Sequence, residues 1–325
     1  MSVLNNDENM SRRNNKNTSK KHMKTWKKVV LWIIALLIVL VGVGAFAAYH
    51  NVKKTADAVY QPSGAKTVRD ADSLLKSEKP VSLLFMGTDT DFDGRSDKGR
   101  TDSMMIVTLN PKTNTTTMVS IPRDMKVNLP DFPQYSPSKI NAAYTYGGSK
   151  EAINAIESHF SIPVDYYVTL SLGGLKKAID QVGGVDVVSP LTFSYEGQHY
   201  TKGKLEHMDG NKAMWFSNMR YQDPQGDYGR QYRQRLVLEA LMKKAISYKT
   251  VINSDFLNSI SHNLKTNLTM SDMLQLALHY RGTNKNIKSD YAHGTGEMLD
   301  GVSFQDVSGT EQNRISSLIN ESLKD

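Results

Sequence analysis

Val29–Tyr49 (VVLWIIALLIVLVGVGAFAAY) is a run of 21 residues without a charge, and it sets most of what this chain can be. At about 1.5 Å per residue, a helix of that length crosses the ~30 Å hydrocarbon core of a bilayer. Ala45-Phe46-Ala47 has the small residues of a leader-cleavage site, but the apolar run is longer than a cleaved leader carries. A retained transmembrane helix is therefore expected. Basic residues crowd its N-terminal side, from Arg12 to Lys28, while Lys53 and Lys54 are the close ones after it. The positive-inside rule then puts the N-terminus in the cytoplasm and the remainder outside the cell membrane.

The formal net charge is +7, and residues 1–28 carry eight basic and two acidic side chains, which leaves about +1 for everything else. The basic character belongs to the tail, so no direct nucleic-acid contact is expected of the main domain. Cysteine is absent, which excludes disulfides and thiolate metal sites. The organisation expected is a cytoplasmic basic tail (1–28), a transmembrane helix (29–49), an extracytoplasmic stalk (50–79) and a folded domain (80–325).

Within that domain, Val81–Met86 and Met104–Leu109 are short continuous apolar runs, as strands buried on both faces require. Thr115–Ile121 reads as a third strand after the Asn110-Pro111 turn, and Tyr166–Leu170 and Val185–Val188 as two more. Ser149 is placed to cap a helix carrying Ala152, Ile153, Ile156 and Phe160. Ser171 is placed to cap another, stopped by Gly183-Gly184. Arg233–Tyr248 has the pattern of an amphipathic helix and Ser271–Tyr280 of a weaker one; the region after Lys249 carries no legible chemistry. Strands alternating with helices predict a mixed α/β fold, a central β-sheet covered by helices.

Charged residues gather at predicted strand ends. Asp89 closes the first strand, where ligands of α/β sheets bind. The stretch Asp89–Arg100 begins like an EF-hand loop but puts Arg100 where a bidentate Glu is required, so that reading fails. Arg100 and Asp102 lead into the second strand, and Arg123 and Asp124 follow the third. The densest segment is RYQDPQGDYGRQYRQR at 220–235, with Arg220, Arg230, Arg233, Arg235, Asp223 and Asp227. Guanidinium groups bind phosphate bidentately, and Gly226 and Gly229 suggest a flexible loop before the helix, which makes either an anion site or a solvated salt-bridge network. A GxSxG elbow, an HExxH pair and a Walker loop are all missing from the sequence.

These residues resemble a known family. GTD at 87–89, RTDSMMIVTLNP at 100–111, SIPRD at 120–124, KINAAYTYGG at 139–148, DQVGGVDV at 180–187 and GDYGRQYRQR at 226–235 are similar to the LytR-CpsA-Psr family, in its order. The resemblance implies a phosphotransferase that moves an anionic glycopolymer, such as wall teichoic acid or capsule, from an undecaprenyl-pyrophosphate carrier onto peptidoglycan. It implies a hydrophobic pocket for the polyprenyl chain and a Mg²⁺ (or Mn²⁺) ion held by Asp89 and Asp102. It assigns pyrophosphate binding to Arg100, Arg123, Arg220, Arg230 and Gln234, with Asp227 in the same network. Where the family commonly reads Arg-x-Arg, this chain has Asn218-Met219-Arg220; Asn218 keeps hydrogen-bonding capacity and loses a charge, pointing to weaker transfer or an altered donor. A protein that holds lipid-linked polymer without turnover, and so influences wall gene expression indirectly, is the alternative.

Overall fold

The computed structural model describes residues 53–88, 99–245 and 258–325. The apolar run 29–49 lies outside them; among the described residues no helix is long and apolar enough to cross a membrane.

A short helix, α1 (Ala71–Lys76), capped by Asp70, precedes a six-stranded sheet built from β1 (Val81–Thr88), β2 (Thr101–Asn110), β3 (Thr115–Ile121), β6 (Tyr166–Ser171), β11 (Leu264–Thr266) and β12 (Asn286–Tyr291). The order is β11-β6-β1-β2-β3-β12. β1, β2 and β3 run antiparallel in turn, β6 joins β1 and β12 joins β3 in parallel, and β11 closes its edge antiparallel, so the sheet is mixed. Between β3 and β6 lie the two-residue strands β4 (Lys126–Val127) and β5 (Ser138–Lys139) and the long helix α2 (Ile140–Phe160).

Alternation along the strands splits the core into two layers. Leu84, Met86, Ile106 and Val119 face α2 and the C-terminal helix α7 (Gly309–Ser322), through Ile153, Ile156, Ile315 and Ile319. Leu83, Met105, Val107 and Met118 face the opposite way, against α1, α5 (Asp227–Ala245) and α6 (Met270–His279). A separate cluster joins α3 (Leu172–Gln181), the antiparallel pair β7 (Val185–Val188) and β10 (Leu205–Met208), the hairpin β8 (Phe193–Tyr195) and β9 (Gln198–Tyr200), and α4 (Gly210–Asn218). The hairpin β13 (Thr295–Leu299) and β14 (Val302–Asp306) leads into α7.

Local signals explain several boundaries. The Ser171 hydroxyl accepts the Gly174 N–H and starts α3, and Gly183 and Gly184, at φ +76° and +81°, end the turn after it. Thr269 and Asp272 form a reciprocal capping box on α6. A helical segment does begin at Ser149 as expected, because Gly148 at φ +66° breaks the helix that starts at Ile140, but the Ser149 side chain does not cap it. The Ser149 hydroxyl instead donates to the Ser63 carbonyl. Part of the stalk segment packs on the domain, since the Gln61 N–H donates to Thr266 O and Arg69 pairs with Asp165.

In the sheet register Thr88 stands beside both Ser171 and Thr101, and Met104 beside Ile121. The C-terminal ends of β1, β3 and β6 and the start of β2 therefore meet at one end of the sheet.

Candidate active site

At that end four charged side chains from three elements converge. Arg123 follows β3, and its Nη1 donates to Oδ1 of Asp102 on β2 at 2.7 Å. Its Nε lies 3.7 Å from carboxylate oxygens of both Asp124 and Asp227. Asp227 opens α5, with Oδ1 2.7 Å from Nη2 of Arg230 one turn on. That same Nη2 donates to the backbone carbonyl of Asp102 at 3.2 Å. Gln231 Nε2 donates to the other Asp227 oxygen. Arg220, in the connection from α4 to α5, lies with its guanidinium 4.9 Å from the Tyr221 ring centre.

The balance of charge here favours an incoming anion. Burial opposes the charge on Arg123, but Asp102, Asp227 and Asp124 outweigh it and hold the group above the ordinary arginine value. Arg230, nearly fully buried, goes the other way: burial lowers it, and the like charges of Arg123 and Arg220 add to that against Asp227 and Asp102. The Nε atoms of Arg123 and Arg230 are buried without a hydrogen-bond acceptor. Arg123, Arg220 and Arg230 thus share one field with Asp102, Asp124 and Asp227, and Asp124 is also held by Lys139 at 2.8 Å, which leaves the group one positive charge in excess.

The other sequence-level candidates fall elsewhere. Asp89 lies outside the described residues. Arg100 is exposed just before β2 and enters none of these pairs among the described residues. The loop expected before the long helix ends sooner than expected: it holds Gly226, at φ +54°, but α5 already begins at Asp227. Gly229 is inside that helix, where a Cβ would collide with the Asp223 carboxylate; its role is close packing, not flexibility. Arg233 points into the body of the domain, fully buried, donating to the Phe216 and Met219 carbonyls and paired with Asp223. Arg235 is also buried and donates to Ser120 Oγ at 2.8 Å. Both belong to the structural reading of the segment.

Gln234, one turn after Arg230, lines a narrow hollow of about 90 Å³ together with Gly87, Ser103, Ser171, Phe85 and Leu238. Phe85 and Leu238 also line a second cavity of about 290 Å³, whose wall is almost wholly apolar. It lies between the sheet and helices α5 and α6, with Leu264, Leu268, Met273 and Leu276 on its far side. Sequence reasoning missed these last residues; the weak apolar stripe of α6 was the available signal. No charged side chain lines either cavity, but Ser103 and Gln234 in the hollow neighbour Asp102 in sequence and Arg230 one helical turn back, so an anionic head beside the arginines and an apolar chain in the cavity suit one amphiphile.

The LytR_cpsA_psr family model matches residues 46–321, and the protein belongs to that family. Polyisoprenyl-teichoic acid–peptidoglycan teichoic acid transferase TagU of Enterococcus faecalis is 39% identical over 306 residues, 93% of this chain and 99% of its own. The crystal structure of B. subtilis TagU matches with a TM-score of 0.61 and 32% identity, over 76% of this chain and 98% of that one. A structure described as TagT bound to LIIa-WTA matches with a TM-score of 0.65 and 25% identity, over 82% of this chain and 99% of that one.

Proposed function

We propose that this protein transfers an anionic glycopolymer of the teichoic-acid type from a polyprenyl-pyrophosphate carrier to peptidoglycan. The observation that carries the reading is the meeting of Arg123 and Arg230 around Asp102 and Asp227, on the helix whose Gln234 and Leu238 line a hollow and the apolar cavity that shares its wall. A pyrophosphate would meet the guanidiniums while its polyprenyl chain fills the cavity. The names of the relatives point the same way.

In the reaction, an acceptor hydroxyl oxygen forms a bond to the phosphorus bearing the polymer. The bridging anhydride P–O bond breaks, polyprenyl monophosphate leaves, and the hydroxyl proton passes to water. Such transfers depend on positioning and charge neutralisation more than on covalent help. Arg123 and Arg230, fixed by Asp102 and Asp227, supply rigid donors; Arg220 and Gln234 complete the grip on the phosphates, with Arg100 assigned to the same role by family motif. Mg²⁺ (or Mn²⁺) would be held by Asp102 with Asp89. The second Asp102 oxygen accepts no hydrogen bond among the described residues and is the hard donor such an ion takes, with water and donor phosphate completing its shell. Bound there, the ion would neutralise charge on the transferring phosphoryl group. Residues 29–49 would anchor the domain on the outer face of the cell membrane, N-terminus inside.

The test is transfer by the full chain in lipid nanodiscs, with a polyprenyl-pyrophosphate-linked donor and a peptidoglycan oligosaccharide acceptor. Release of polyprenyl monophosphate with polymer-linked oligosaccharide is expected. Arg220→Lys keeps the charge and loses the bidentate geometry, at a cost of about 1.5–3 kcal/mol in donor binding or turnover. Tight donor binding without release would replace the enzyme with a polymer-holding protein.

A further inference from the structure

We propose that Tyr232 on α5, with Tyr291 and His293 at the end of β12, forms a ledge that binds a sugar ring of the acceptor glycan. The inference rests on the transferase reading above and names where its second substrate lies.

Helical spacing divides α5 between two tasks. Arg230, Gln234, Val237, Leu238 and Leu241 lie along one side, with Arg230 in the cluster around Asp227 and the other four lining the two cavities. Tyr228, Tyr232 and Arg235 lie along the opposite flank, turned toward β12. The donor occupies the first side. In an in-line displacement the attacking hydroxyl comes from the side opposite the leaving group, and here the leaving group carries the lipid chain into the cavity. The acceptor must therefore approach from the other side of the pyrophosphate, and the ledge begins there. Tyr228 directly follows Asp227, which is 3.7 Å from Arg123. The Tyr228 ring centre is 5.2 Å from that of Tyr291, and Tyr291 is 4.1 Å from His293.

The ledge has the chemistry of a pyranose site. Its rings offer apolar faces to the C–H face of a sugar, while phenol and imidazole edges offer hydrogen bonds to its hydroxyls. Tyr232 is 39% exposed and His293 is exposed, so these two supply the reachable surface, while half-buried Tyr291 packs against His293 and Arg235 and backs them. The rings are also held in place. The buried guanidinium of Arg235 lies 5.5 Å from the centres of both Tyr232 and Tyr291 and is tied to Ser120 on β3. The Tyr228 hydroxyl accepts the Gly294 N–H at 2.8 Å and donates to Gln305 Oε1 at 3.0 Å, which fixes the turn that carries His293. A surface ordered before binding loses less entropy on taking a ligand.

The experiment measures separate KM values for donor and acceptor with the full chain in nanodiscs. Tyr232→Ala and His293→Ala should each raise the acceptor KM by about threefold to tenfold, the range of an aromatic contact. The donor KM should stay at its wild-type value, and Tyr232→Trp, which keeps a ring face, should restore the acceptor KM. An unchanged acceptor KM in both alanine variants, or an equal rise in donor and acceptor KM, would overturn the ledge. If the wild-type chain transfers nothing, the enzyme reading fails by itself. Calorimetric binding of the peptidoglycan oligosaccharide then decides the ledge: binding lost in Tyr232→Ala upholds it, and binding absent in wild type or unchanged in the variant sinks it.

Discussion

Arg123 and Asp102 stand on neighbouring strands, 21 residues apart in the chain, with Nη1 2.7 Å from Oδ1. The pair does two things at once. It fixes a guanidinium beside Asp227 at the start of α5, and it engages only one of the two Asp102 carboxylate oxygens, the other being the one proposed above to face Mg²⁺. Removing Asp102 should therefore damage chemistry more than folding. Asp102→Ala is expected to lower turnover about a hundredfold or more, as losing a preorganised electrostatic group does. Its effect on stability should be about 1 kcal/mol or less, since the pair is partly solvated. Mg²⁺ titration of wild-type turnover should show a rise that the variant lacks. Wild-type turnover by the variant at limiting Mg²⁺ would remove both roles.

Gly229 is where α5 passes against Asp223, and Asp223 in turn neutralises the fully buried Arg233. A methyl group there must push the carboxylate away and leave a buried cation unpaired. Breaking such a pair costs about 3–5 kcal/mol. Gly229→Ala should show a loss of that order in denaturant unfolding. Gly226→Ala meets no neighbouring atom and bears only the strain of φ +54°, so it should cost about 1 kcal/mol. Equal costs for the two would show that the Asp223 contact is unimportant.

Glu157 supplies a pH test of stability. Burial pushes its carboxyl above the usual carboxylate range; the Val164 N–H opposes this and the Asp165 carboxylate adds to it. The native state therefore holds the proton to higher pH than the unfolded chain does. Stability falls as pH rises from the ordinary carboxylate value through the raised one, and the whole cost persists above it. Glu157→Gln keeps an acceptor for the Val164 N–H and carries no charge. The variant should melt above wild type at about pH 8, with the difference closing near pH 3, where wild type is protonated. A lower melting temperature at pH 8 would contradict the assignment.

What the sequence revealed follows the range of the interactions involved. β3 could be read to the residue, and the Ser171 cap and the Gly183-Gly184 stop were legible, because each is written in adjacent residues. Val185–Val188 was legible as a strand but not as part of a two-stranded sheet with β10, since pairing is non-local. The start of α5 was misplaced because two glycines read as a loop, whereas Gly229 is there for the approach of Asp223 from outside the helix. The first half of α2 was missed, whereas the second, which begins where Gly148 leaves helical geometry, was legible from its apolar spacing. The convergence of Asp102, Arg123, Asp227 and Arg230 was legible through family motifs alone. Nothing in their spacing brings the start of β2, the end of β3 and the start of α5 together; the sheet register does.

The apolar cavity yields a prediction that separates lipid recognition from the chemistry beside the arginines. Ala277, buried on α6, lines the cavity among Leu276, Met273 and Tyr280. A large ring placed there would fill space that the structure leaves open, so Ala277→Trp should fold without a large loss of stability, unlike an insertion into a filled core. On the proposed function, the volume it takes is volume the polyprenyl chain would fill, and each buried CH₂ displaced forfeits about 0.8 kcal/mol. The variant should raise the donor KM strongly for a full-length polyprenyl pyrophosphate. It should leave the KM nearly unchanged for a donor whose chain is too short to pass Phe85 and Leu238, where the narrow hollow meets the cavity. Turnover at saturating short-chain donor should match wild type, since none of Arg123, Arg220 and Arg230 lines that cavity. Equal KM changes for long and short donors would show that the cavity does not hold the lipid chain.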